Sequence, residues 1–389
     1  MRREVNHRSR RSPWGEKLIR FQSRVVKFLH HDLSLTWNYW TRRSGYRRRM
    51  AAVLPLPRNL YFETSSVCNA SCVFCPYSAM ERKKGTLGFD FFKKTLLEYI
   101  GTGGRSVAFT PIVGEPLVNP AFFDMLQFAT ERPEIEFIGF VSNGILLNPE
   151  KVDKLLELEA KNISIIFSVG GFDRETYAAI MGVDKYEIVE RNLRYLINTL
   201  EKRRNEGRNS KLRITIGIRS PFDKTAGPFF DWLRDHYERD LIDFDYGDRP
   251  TGFFDNFGGR ISSKQLTDAG LTPRPPPRKV GACQFLFTKP IVLADGRVNG
   301  CSERDLEAEL IIGDLKKNTL KEVFSGEERR KLIEAHETGN YPRVCKDCTL
   351  YVSVFSPRTN FQSRNLNWKP VVNKARVNSD KDSVLGTEN

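Results

Sequence analysis

Between residues 58 and 247 the apolar positions change period again and again. Short β-branched and aromatic runs alternate with longer stretches whose apolar residues recur every three to four positions. The short runs predict strands at Asn59–Thr64, Ser106–Thr110, Ile135–Ser142, Asn162–Val169, Leu212–Arg219 and Ile242–Tyr246. The amphipathic stretches predict helices at Asp90–Ile100, Pro120–Thr130, Pro149–Glu159, Lys185–Arg203 and Ala226–Tyr237, with a short one at Arg174–Met181. This alternation predicts parallel βα units and an α/β fold. In parallel barrels the functional groups gather at the C-terminal ends of the strands. The segments after each strand are therefore where chemistry is expected.

Outside that region the pattern changes. Trp14, Leu18, Phe21, Val25, Phe28 and Leu29 share one helical face, ringed by Lys17, Arg20, Arg24 and Lys27. Trp37, Tyr39 and Trp40 follow, then Arg42, Arg43, Arg47, Arg48 and Arg49. Residues 1–50 hold 12 Arg and 2 Lys against 2 Glu and 1 Asp, a net +11 of the chain's +14. The basic character thus belongs to an arm, residues 1–57, with an amphipathic helix. Such a helix packs outside a barrel with solvated charges, lies on an anionic membrane surface, or meets an acidic partner or RNA. An Arg-rich, acid-poor start also allows a transit peptide. Pro273, Pro275, Pro276 and Pro277 predict a stiff linker over 261–281. Residues 351–389 read as a polar tail, and His236 and His336 as ordinary helix residues. With 40% apolar and 11% aromatic residues, the chain is globular rather than disordered. It has no apolar run of membrane-spanning length and no apolar core of a secretory signal. A cytoplasmic location is the expectation.

Seven cysteines are an odd count, grouped in motif spacing, which argues for reduced thiols and metal rather than a disulfide framework. Cys68, Cys72 and Cys75 form C-x3-C-x2-C directly after the first strand, with Phe74 before the third. Thiolates suit iron–sulfur clusters or zinc. A closed zinc site wants four ligands, often as paired C-x2-C units. Three cysteines on one short loop point instead to a [4Fe-4S] cluster with one open iron.

The motif resembles the defining signature of the radical S-adenosylmethionine (SAM) superfamily. That resemblance implies a partial (β/α)6 TIM-like barrel over 58–260. It implies that SAM binds the open iron and is reductively cleaved to a 5'-deoxyadenosyl radical, which abstracts a hydrogen atom from substrate. Phe74 matches the aromatic near the adenine. Gly114-Glu115-Pro116 is similar to the Gly-Gly-Glu-Pro element that holds the SAM ammonium, with Val113 in place of the first glycine. Ser142-Asn143-Gly144 is similar to the Thr-Asn-Gly element. Ser168 matches a serine that reaches the SAM ribose, while Gly170 stands where many relatives have aspartate. Arg219, ending the fifth strand, is a candidate partner for the SAM carboxylate. Phe254-Asp255-Asn256-Phe257-Gly258-Gly259 resembles an Asn-aromatic-Gly-Gly segment found in relatives.

Four cysteines remain: Cys283, Cys301, Cys345 and Cys348. Two short strands flank the Asp295-Gly296 turn, Gly313-Asp314-Leu315 follows, then a helix from Thr319 to about Thr338. Over 282–350 this order resembles the small α+β SPASM/twitch extension, and implies one auxiliary [4Fe-4S] cluster. Four thiolates also make a common zinc set. The resemblance implies a two-electron oxidation of a small molecule, such as a sugar or cyclitol alcohol, with the auxiliary cluster accepting an electron. The alternatives are a radical peptide or protein maturase and, in another class, a non-catalytic iron–sulfur carrier. The reductant would be an electron donor such as flavodoxin or ferredoxin. All seven cysteines are assigned, so no thiol is spare to return a hydrogen atom, which disfavours simple epimerisation.

Overall fold

The computed structural model of the protein describes residues 32–48, 50, 56–57, 59–158, 162–208, 210–245, 252–357 and 366–367. The amphipathic pattern at 14–29 lies outside the described residues.

Six parallel strands follow one another in chain order: β1 (Asn59–Phe62), β2 (Ser106–Ala108), β3 (Phe137–Ser142), β4 (Ile163–Val169), β5 (Arg213–Ile218) and β6 (Asp243–Asp245). The connecting helices are α1 (Phe89–Gly101), α2 (Phe122–Thr130), α3 (Pro149–Glu157), α4 (Arg174–Met181), α5 (Tyr186–Asn205) and α6 (Pro228–Glu238). Alternation explains how they pack. Ile163, Ile165, Phe167 and Val169 of β4 are buried in the large core shared with the helices, as are Ile214, Ile216 and Ile218 of β5. The intervening positions are half-buried on the opposite face and mixed in character: Gly139, Ser164, Ser168 and Thr215 alternate there with Phe137, Val141 and Ile166. The structure is the α/β partial barrel that the pattern implies.

Three expectations about the C-terminal half need correction. The first concerns 261–281, read as a linker because of its prolines. The segment is folded. α7 (Ser263–Asp268) starts in a capping box between Ser262 and Gln265, and Leu266 and Leu271 are buried in an apolar cluster with Phe257 and Leu306. Thr272 and Pro273 pair in parallel with Phe253 and Phe254. Pro275, Pro276 and Pro277 follow this packed unit, while Pro273 belongs to it. The second concerns the helix expected over 319–338. It breaks at Gly326 into α8 (Leu320–Ser325) and α9 (Glu327–Glu337). Residues 351–357, expected in the polar tail, are also packed: Tyr351, Val354 and Phe355 are buried. Most of the remaining tail lies outside the described residues.

The C-terminal half shares the barrel's sheet. β7 (Ile291–Val292), β8 (Arg297–Asn299) and β9 (Ile311–Asp314) form an antiparallel meander around the Asp295-Gly296 turn. β7 pairs in parallel with β1, giving a nine-stranded sheet in the order β9-β8-β7-β1-β2-β3-β4-β5-β6. A buried ion pair fastens the same seam. Both guanidinium nitrogens of Arg82 reach the carboxylate of Glu63, and Arg82 Nε donates to Leu306 O at 2.8 Å. Ala294 N donates to Glu63 at 3.2 Å. Removing one partner of such a pair would leave a buried charge uncompensated. The two cysteine groups therefore sit on one continuous scaffold.

The arm helix, residues 32–48, lies against this C-terminal half rather than the barrel. Leu35, Tyr46 and Met50 pack with Phe287, Ile333 and Phe355. Among the described residues no helix is long and apolar enough to cross a membrane.

Candidate functional site

The loop leaving β1 carries the first three cysteines and is pinned on two sides. Ser71 N donates to Met181 O at 3.1 Å and Val73 N to Ile180 O at 3.0 Å, which ties the loop to the end of α4. Helix α4 begins where Asp173 accepts from Thr176 N at 2.8 Å. Asn69 Oδ1 accepts from Asn143 Nδ2 at 2.8 Å, which ties the same loop to the end of β3. Burial and then the neighbouring thiolates of Cys75 and Cys68 push Cys72 well above an ordinary thiol, and burial raises Cys68 to about 11. Three thiolates here need a cation to compensate them.

Glu115 stands beneath this loop, 2% exposed. Its carboxylate accepts from Ser142 Oγ and Asn143 N, both at 2.8 Å, and from Leu117 N at 3.2 Å. Burial raises its pKa to about 7 against those hydrogen bonds. The preceding residue must be glycine. Gly114 has φ +133°, and a Cβ there would lie 2.1 Å from Ser65 O. Gly114, Glu115, Ser142 and Asn143 thus form one hydrogen-bonded unit with the cysteine loop.

Ser168 is half-buried on the face of β4 opposite the large core, in register with Gly217 of β5. Arg219 folds back over Gly217 into the barrel. Its side chain is 16% exposed, and Nη2 lies 3.8 Å from Asp245 Oδ2. Burial lowers its pKa, with Asp245 and the Cys72 thiolate opposing. It is therefore not a surface arginine. Phe74 packs on Phe254, ring centroids 5.6 Å apart. The missing aspartate at Gly170 has a steric cause, since a Cβ there would lie 2.4 Å from Met181 Cγ.

The four C-terminal cysteines converge from separate elements. Cys283 precedes a one-turn helix, Cys301 follows β8, and Cys345 and Cys348 flank the end of α10 (Arg343–Asp347). Burial and then Cys301, Cys283 and Cys348 raise Cys345, and burial pushes Cys283 up to about 12. No disulfide joins any of the seven cysteines. Among the described residues no group of His, Cys, Asp or Glu is drawn together around a single ion. A cluster, whose ligands bind different irons, asks for wider spacing than one ion does.

The Asn-aromatic-Gly-Gly segment grips the C-x2-C hook. Asn256 Nδ2 donates to Asp347 O at 2.7 Å, its Oδ1 accepts from Thr349 N at 3.1 Å, and Asn256 N donates to Thr349 Oγ1 at 2.9 Å. Gly258, at φ +63°, lets the turn pass against Arg304 O and Val344. His336, read from the sequence as ordinary, accepts from Cys283 N at 3.3 Å. Burial and then Lys279 lower its pKa to about 4, so the ring is neutral and able to accept. The other histidine among the described residues is structural: His236 Nδ1 bonds to Trp232 O at 2.7 Å within α6.

Near both cysteine groups lies a network of ion-paired side chains. Arg304 Nε donates to Asp255 Oδ1 at 2.5 Å, and Lys289 Nζ pairs with Glu303 Oε1 at 2.5 Å. Although burial works against it, Arg304 holds Asp255 below the usual carboxylate range. Lys289 and Arg304 do the same for Glu303 against its burial. Lys289 Nζ also lies 5.9 Å from the Tyr61 ring centroid. Burial raises Cys75 and Cys348, and the charge of Arg304 works against that at both thiols. Unexplained charge in a region that composition leaves near neutral was the only sequence signal.

These residues fit clusters and SAM. Seven enclosed thiols stand in two electrostatically coupled groups. Beside the first group, Asn69 Nδ2 and Tyr177 Oη are buried with no hydrogen-bond partner, as are Thr64 Oγ1 after β1 and Ser220 Oγ after β5. A polar ligand at the strand ends would satisfy such atoms.

Comparison with known proteins agrees with this geometry. A family profile described as Radical SAM superfamily matches residues 62–217, and one described as an iron–sulfur cluster-binding (SPASM) domain matches 283–349. Residues 62–217 are thus a radical SAM superfamily region and residues 283–349 a SPASM-type iron–sulfur cluster-binding region. It is 28% identical over 135 residues to the GTP 3',8-cyclase of Chlorobaculum tepidum, covering 35% of this chain and 39% of that protein. It is 27% identical over 150 residues to the mycofactocin maturase MftC of Mycobacterium ulcerans, covering 37% of each. The chain thus matches well under half the length of these two curated relatives. A crystal structure of BtrN in complex with AdoMet and 2-DOIA aligns over 76% of this chain and 94% of that one, with 17% identity and a TM-score of 0.49.

Proposed function

We propose that the protein oxidises a small, polar, hydroxylated molecule by radical SAM chemistry. The observation that carries this reading is the group of enclosed charges: Lys289–Glu303, Arg304–Asp255 and Tyr61 lie together near the two cysteine groups. Closely spaced ion pairs offer donors and acceptors to a substrate rich in hydroxyls. Cys68, Cys72 and Cys75 would hold the SAM-binding cluster, which would supply the electron that cleaves SAM to the hydrogen-abstracting radical. Cys283, Cys301, Cys345 and Cys348 hold a single auxiliary cluster. Gly114 and Glu115 receive the SAM ammonium, with Ser142 and Asn143 fixing the carboxylate and the loop. Ser168 faces the ribose, Phe74 the adenine, and Arg219 the SAM carboxylate. Electrons come from a flavodoxin- or ferredoxin-like donor. The region 58–260 is the catalytic barrel and 282–350 the cluster-binding extension.

A second reading is maturation of a peptide, favoured by the similarity to a mycofactocin maturase. One experiment separates the two. Reconstituted, reduced protein is given SAM under anaerobic conditions, with host extract split by size, and 5'-deoxyadenosine is measured. Stimulation by the small-molecule fraction supports the oxidation. Stimulation by the macromolecular fraction alone overturns it in favour of the maturase.

A further inference from the structure

The arm helix over 32–48 has two faces with different fates. Leu35, Tyr46 and Met50 seat it on the body, and Asn38 Nδ2 donates to Phe355 O at 3.1 Å. Arg278 donates to Thr36 Oγ1 at 2.8 Å, a further tie to the body. The opposite face carries Leu33, Trp37 and Trp40, at helical spacings of four and three. They are 70%, 71% and 70% exposed, while the next large apolar side chain among the described residues, Leu97, is 49% exposed. Helical geometry places Ser44 in line with this stripe and Arg47 and Arg48 on either side of it. Across the helix four arginines face one acid, Asp32.

We propose that this face docks the enzyme on an anionic lipid surface. Three features favour that occupant. Tryptophan has an apolar body and a polar N–H, which suits the level of lipid headgroups. Arg48 beside the stripe is placed to meet negatively charged headgroups while the indoles enter the acyl boundary, whereas Arg47 Nε lies 3.7 Å from Glu337 Oε2 of the body. The helix is already fixed by its other face, so the stripe cannot turn inward to hide. Charge also weighs against two other occupants. The segment before the helix carries nine basic residues against two acidic ones and would bring like charge to like charge. A second copy would present the same basic face. The protein thus lies on the bilayer without spanning it, consistent with the lack of a membrane-spanning helix among the described residues.

The test uses the full reconstituted chain in vesicle co-sedimentation. Phosphatidylglycerol-containing vesicles are compared with pure phosphatidylcholine. The protein is expected to bind the anionic vesicles, and less as salt rises. Trp37→Ala with Trp40→Ala is expected to weaken binding by about tenfold or more while leaving 5'-deoxyadenosine formation unchanged. Trp37→Phe with Trp40→Phe is expected to restore most of it. Absence of binding to anionic vesicles overturns the proposal. So does undiminished binding by the double alanine variant, which would assign any lipid contact to other residues. A dimer in solution that the double alanine variant abolishes would also overturn it, making the stripe a contact between copies.

Discussion

The two cysteine groups solve one problem by opposite means. The first places three thiols within eight residues on a single loop. Its support is also near at hand: the end of α4, Asn143, and the turn at Gly114. The second draws four thiols from a stretch of 66 residues. It needs the meander paired to β1, the grip of Asn256 on the hook, and His336 behind Cys283. A local site can be encoded in one motif. A distributed site depends on the whole sheet, so its ligands are separable from its supports.

The largest effect should come from closing the turn beneath the local site. Gly114→Ala sets a methyl against a backbone oxygen at a φ that alanine rarely adopts, a strain of about 1–3 kcal/mol before the clash is counted. The expected outcome is loss of SAM cleavage, with iron in the C-terminal group retained. Equal loss of both clusters by iron analysis would show that the two sites do not fail separately.

Next in size is a pH effect confined to the first site. Glu115 is raised from 4.5 to about 7 by burial. A native carboxyl that holds its proton longer than the unfolded one stabilises the fold at low pH. That contribution is lost as pH rises from about 4.5 through about 7. The iron-free chain should therefore lose up to about 3 kcal/mol across that window, and Glu115→Gln should flatten the curve in urea unfolding. If the carboxylate receives the SAM ammonium, SAM affinity moves the other way. It should weaken about tenfold for each unit below pH 7. A flat affinity between pH 6 and 8 would remove Glu115 from SAM binding.

The smallest effect sharpens the view of the distributed site. Asn256→Ala removes the side-chain bonds to Asp347 and Thr349 and should loosen the hook by about 1–3 kcal/mol. A chelator should then strip iron from the C-terminal group faster, with SAM cleavage intact. An unchanged stripping rate would mean that Asn256 does not support the cluster.

The same contrast explains what the sequence makes readable. Helix α4 is legible to the residue, because Asp173 caps its start and Gly182 ends it. The cysteine loop is legible because its chemistry is contiguous. Pairing of β7 with β1 is not, since it joins residues more than 200 positions apart. The segment 261–281 misleads because its prolines outweigh Leu266 and Leu271, whose burial depends on distant partners. Arg304, Asp255, Lys289 and Glu303 look like ordinary solvated charges until the fold brings them together. His336 escapes notice for the same reason, as its partner Cys283 is 53 residues away.

The most direct test of the division between the sites is 5'-deoxyadenosine yield from reconstituted, reduced Cys72→Ala and Cys345→Ala proteins given SAM. The account predicts none from Cys72→Ala and a yield near that of the unaltered protein from Cys345→Ala. Cleavage by Cys72→Ala would contradict it, as would loss of cleavage in Cys345→Ala while its first cluster is present.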